Sequence, residues 1–61
     1  MEVFIITERI TKEQIRIEAI KWEIENYQHT FYTVNELGNS IVVKSYSTRY
    51  FDLTDRYEIQ D

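Results

Sequence analysis

A chain of 61 residues forms one domain that buries only about 60 per cent of its unfolded surface, a thin margin that self-association often supplements. With no cysteine and a single histidine, disulfides and thiolate metal sites are excluded, and neither a metal nor another cofactor is expected. Eleven acidic against seven basic residues give a net charge of −4, which opposes non-specific attraction to nucleic acid or an anionic membrane.

Met1 to Thr7 puts Val3 and Ile5 on one face and Phe4 and Ile6 on the other. Alternation with apolar residues on both faces predicts a central strand covered from both sides. A second copy of the chain is one candidate for the second cover.

Thr11 to Gln28 carries a helix-start pattern. Thr11 and Gln14 have the spacing of a capping box, and Ile10 and Ile15 that of a hydrophobic staple. On a helix, Ile17, Ile20, Ile24 and Tyr27 form an inner stripe, while Ile15, Ala19 and Trp22 fall on the opposite face. The alternative is a strand, in which Ile15, Ile17 and Ala19 alternate and Ile20, Trp22 and Ile24 then alternate out of phase. That requires a bulge at Ala19 and Ile20. Cap, staple and length favour the helix, with His29 just beyond it placed to assist its last carbonyls.

Gly38 and Asn39 suit a two-residue hairpin turn between TFYTVNEL and SIVVKSY. The implied register opposes Leu37 to Ser40, Glu36 to Ile41, Asn35 to Val42 and Val34 to Val43. Tyr32, Val34, Ile41 and Val43 then share the face that meets the helix, and the other face carries Phe31, Thr33, Asn35, Val42, Lys44 and Tyr46. Farther on, Ser47 to Arg49 reads as a turn, Tyr50 to Leu53 as a short strand and Arg56 to Gln60 as an edge. Asp52, Asp55, Glu58 and Asp61 recur every three residues as a solvated acidic end.

The fold class expected is α+β: a β-α-β-β domain with one or two further short strands, a mainly antiparallel sheet and one helix packed on one face. No glycine-rich loop or paired nucleophile and base is present, so an enzyme is not expected. The leading reading is a small protein-interaction module that regulates or inhibits a larger protein partner and also self-associates as a homo-oligomer. Its contact residues are Ile15, Ala19 and Trp22 on the outer helix face, followed by Phe31, Tyr46 and Tyr50. The alternatives are a nucleic-acid-binding surface of Lys44, Tyr46, Arg49 and Tyr50, which interleaves cations with aromatics, and a purely structural homo-oligomer. No apolar run reaches transmembrane length and no leader opens the chain, so a cytoplasmic protein without membrane contact is expected, and a gene this short fits a phage or mobile element.

Overall fold

The computed structural model describes residues 1–59 and contains no helix. Six strands, β1 (Glu2–Glu8), β2 (Gln14–Ala19), β3 (Lys21–Glu25), β4 (Gln28–Val34), β5 (Ser40–Ser47) and β6 (Phe51–Glu58), form two antiparallel sheets of order β2-β1-β6 and β3-β4-β5. The α+β class and its β-α-β-β order are therefore corrected to an all-β fold. Gln60 and Asp61, which ended the expected edge and acidic repeat, lie outside the described residues.

The residues expected to start the helix instead close the β1–β2 hairpin. Lys12 stands at φ 64°, outside any right-handed helix, and its N–H bonds to the Glu8 carbonyl at 3.0 Å. The Thr11 hydroxyl does accept a local backbone bond, from Glu13 N–H at 3.2 Å, but it caps a turn. Beyond it the isoleucine-rich run is extended, as β-branched side chains favour.

The break in alternation at Ala19 and Ile20 is the point where the chain changes sheet. Ile20 lies between β2 and β3, and its N–H reaches across to the Tyr32 carbonyl at 2.8 Å. Ile15, Ile17 and Ala19 before it pack on the core from one sheet, and Trp22 after it packs on the core from the other. A second crossing, the turn at residues 48–50, takes β5 to β6, which pairs along β1 and leads to Ile59, whose N–H bonds to the Met1 carbonyl at 3.1 Å.

β1 is the central strand of its sheet, with Val3, Phe4 and Ile6 fully buried. Val3 lies in register between Glu18 and Tyr57 of the neighbouring strands, so this chain alone buries it. On the inner side, Phe4, Ile6, Ile17, Ala19 and Phe31 form the core, bordered by Ile15, Trp22, Tyr46, Phe51 and Leu53. Phe4 meets Phe31 across the layers with ring centroids 5.3 Å apart, and the Arg56 guanidinium lies 5.2 Å from the Phe4 centroid. Arg56 is held there by a two-pronged pair with Glu2, both bonds 2.9 Å.

One polar chain joins the sheets. The Trp22 indole N–H donates to His29 Nδ1 at 3.0 Å, and His29 Nε2 lies 2.9 Å from the Phe51 carbonyl oxygen. Indole can only donate, so Nδ1 must accept and Nε2 must carry the hydrogen given to Phe51. His29 is thus buried and bonded at both nitrogens, rather than capping a helix end.

The β4–β5 register also differs from expectation. Asn35 Oδ1 accepts from Leu37 N–H and Asn39 N–H, while Gly38, at φ 81°, bonds its N–H to the Asn35 carbonyl. This is a longer loop built on a turn with one left-handed residue, not a two-residue turn. Val34 therefore opposes Ser40, Thr33 opposes Ile41 and Tyr32 opposes Val42, and a bulge leaves Val43 as the extra residue before Lys44 faces Phe31.

Trp22→Phe keeps the ring but leaves the buried His29 Nδ1 without a donor. Urea denaturation should show a loss of about 1–3 kcal/mol. Tyr46→Phe is the control, since the Tyr46 hydroxyl makes no hydrogen bond among the described residues, and it should change stability by less than about 0.5 kcal/mol.

Candidate functional site

The most exposed apolar part of the molecule is the far half of the β4–β5 hairpin. β3 ends its pairing at Lys21 opposite Tyr32, which also pairs with Val42, so beyond that point Thr33 and Val34 pair only with Ile41 and Ser40. By register, Val34 and Val42 lie on the Tyr32 side, and Ile41 lies on the Phe31 side with Thr33. Neither side is covered: Val34, Ile41, Val42 and Val43 are between 40% and 56% exposed, and Leu37 in the connecting loop is 84% exposed.

The hairpin base borders a cleft lined by Ile15, Arg16, Ile17 and Glu18 of β2 and by Val43, Lys44 and Tyr46 of β5. β2 and β5 are both edge strands. The cleft therefore sets an open strand edge beside apolar side chains, the combination that strand addition uses.

A second depression, at the opposite end of β5, is lined by Asn26 to Gln28 and Ser47 to Tyr50. It joins two turns. Asn26 and Tyr27 take φ of 50° and 61° in the turn between β3 and β4, and the Tyr27 carbonyl accepts from both Thr48 N–H and the Thr48 hydroxyl. Arg9 reaches this end, bonding the Arg49 carbonyl at 2.9 Å and forking onto Asp52. That pairing depresses the Asp52 carboxyl, first through the Arg9 hydrogen bond.

The residues expected to bind protein are mostly internal. Ala19 and Phe31 are fully buried, while Ile15, Trp22 and Tyr46 are half-buried against the core; Tyr50 alone is exposed, at the depression near Tyr27. An outer helix face of Ile15, Ala19 and Trp22 does not exist, because on a strand Ile15 and Ala19 point inward with Ile17. The expected inner stripe is largely outside: Ile24 and Tyr27 are exposed. Of the suggested nucleic-acid residues, Lys44 and Tyr46 line the β2–β5 cleft and Arg49 and Tyr50 the far depression, so they are not gathered on one surface. Asp52, Asp55 and Glu58 lie within β6, with Asp52 paired to Arg9 and Asp55 bonding the Arg56 N–H.

The hairpin aliphatics were hidden from sequence reasoning because a helix was expected to cover them. The uninterrupted run Ile41, Val42, Val43 was the available signal, since an edge strand with one wet face should alternate. Among the described residues no helix is long and apolar enough to cross a membrane. Comparison with protein-family models, curated proteins and solved structures finds no match to this chain.

Beside the hairpin base, the outer face of the second sheet carries a polar cluster. Tyr32 donates its hydroxyl hydrogen to Glu25 at 2.5 Å, and the Lys21 ammonium sits 4.7 Å from the Tyr32 ring centre. The bond to Glu25 pushes the Tyr32 hydroxyl up to about 12, and it also lowers the Glu25 carboxyl. A raised tyrosine contributes stability below its ordinary range and loses it as pH climbs toward about 12; a lowered carboxyl contributes above its ordinary range and loses it in acid. Absorbance titration should therefore show Tyr32 ionising only near pH 12, and Glu25→Ala should lower that ionisation toward the ordinary tyrosine value.

Proposed function

We propose that the protein is a protein-interaction module that inserts its β4–β5 hairpin into an apolar cleft of a larger protein, regulating or inhibiting that partner by occupancy. The observation that carries the reading is the exposure of Val34, Ile41, Val42 and Val43 on both faces of one hairpin, with Leu37 in its loop. A flat pad needs one apolar face, whereas a finger entering a cleft needs two. Aliphatic side chains of this kind contribute binding energy when a partner removes them from water.

Lys44 is the only charged residue of β5 and Glu36 the only one in the loop, so the finger itself is nearly uncharged within an acidic chain. That contrast favours an apolar receiving cleft over a basic groove.

The test separates binding from folding. Val42→Lys combined with Leu37→Ser alters exposed positions and should leave the urea midpoint within about 0.5 kcal/mol of the parent. Immobilised parent should retain a specific protein from lysate of its own source cells, and the double variant should lose it. Retention of the same protein by both overturns the reading.

A further inference from the structure

The free edge of β2 is complementary to itself. In the β1–β2 hairpin the Glu8 N–H bonds to the Glu13 carbonyl, so the ladder bonds that follow fall at Ile6 with Ile15 and Phe4 with Ile17. The backbone N–H and C=O groups of Gln14, Arg16 and Glu18 therefore point away from β1. Ile20 has the same phase, and its N–H leaves the sheet to reach Tyr32. Arg16 and Glu18 sit on this edge with their side chains paired at 3.5 Å and about half exposed.

We propose that a second copy of the chain pairs here, with β2 antiparallel to β2 about a two-fold axis through Ile17. The two three-stranded sheets then join into one continuous sheet. In this register Arg16 of each copy opposes Glu18 of the other, and these residues exchange both their N–H and their C=O groups. Symmetry makes every such contact occur twice.

Charge selects this register among those the backbone allows. An outward-pointing residue must pair with another outward-pointing residue, so the axis passes through a residue, not between two. An axis at Arg16 sets arginine against arginine, and one at Glu18 sets glutamate against glutamate; like charges directly opposite are unfavourable. An axis at Ile15 opposes Arg16 to the neutral Gln14 and carries Glu18 past the end of β2, to Lys12 in the turn. Among these, the axis at Ile17 is the one that matches Arg16 with Glu18 inside the paired strands, and it also places Ile15 opposite the small Ala19.

The cleft beside the edge fits a strand as occupant. Its other wall is Val43, Lys44 and Tyr46, so an added strand gains an apolar neighbour at Val43, which is 40% exposed. The net charge of −4 on each copy opposes association in general, and pairing must rely on local alternation of sign.

The experiment is a charge swap read by solution mass over a range of concentrations. The parent should dimerise, and Arg16→Glu or Glu18→Arg alone should each weaken the dimer by about tenfold or more, because each sets like charges opposite one another twice. The double variant Arg16→Glu with Glu18→Arg should restore it. Urea unfolding of each variant shows that the monomer still folds, and amide exchange at Arg16 and Glu18 in the parent should slow as concentration rises. A parent monomeric throughout, single variants that associate as the parent does, or a double variant that stays monomeric each overturns the proposal.

Discussion

The two layers are held in register by the hydrogen-bonded chain Trp22, His29, Phe51. Its members come from β3, β4 and β6, so it ties the second sheet to the edge strand of the first. The logic is directional: an indole that can only donate fixes the imidazole tautomer, and the tautomer fixes the carbonyl as the last acceptor. In a chain whose fully buried side chains are few, losing this specification would leave the layers held mainly by apolar contact, which is far less particular about alignment. The stacking of Trp22 on His29, with centroids 5.9 Å apart, keeps both rings at the angle the bonds need.

Other contacts depend on that alignment. With Phe51 in place, its ring meets Tyr46 edge-on at 5.1 Å, and β6 runs back along β1 to bring Arg56 over Phe4. The turn at residues 48–50 is fixed from outside by Thr48 bonding to the Tyr27 carbonyl. Tyr27, a non-glycine residue in the left-handed region, is thus stabilised by a partner distant in sequence, which explains why local preference alone does not announce this turn.

How much was legible follows from which residues answer to local rules. Met1 to Thr7 was readable as a central strand because its two-sided alternation is a statement about burial. Thr11 to Gln28 was not, because the capping-box spacing is satisfied equally by a hairpin turn, and because its four isoleucines at positions 15, 17, 20 and 24 fit both periods. The deciding signal was the out-of-phase alternation at Ala19 and Ile20, which requires a bulge in a single strand but is natural when a strand leaves one sheet and enters another. The hairpin residues were in hand, yet a turn one size too short moved their register, and with it the face on which each side chain lies. Among the residues proposed for protein contact, Ala19 and Phe31 carried the apolar character of a core and occupy one.

The distribution of apolar residues separates what folding requires from what it leaves over. Phe4, Ile6, Ile17, Ala19 and Phe31 fill the space between the layers, and that space ends where β3 stops pairing, at Tyr32. Threonine or tyrosine beyond that point would serve strand formation as well as valine and isoleucine do, because both propensity and cross-strand pairing accept them. Folding therefore does not explain why Val34, Ile41, Val42 and Val43 are aliphatic on both sides of the hairpin. The edges of β2 and β5 differ in a related way. β5 has a single lysine to discourage indiscriminate pairing, whereas β2 alternates a positive and a negative charge along its edge. An edge of one sign repels every register of its own copies, whereas one of alternating sign repels the registers that align like charges and favours the one that aligns unlike charges; in the proposed pairing β2 would combine protection against aggregation with specificity for its own sequence.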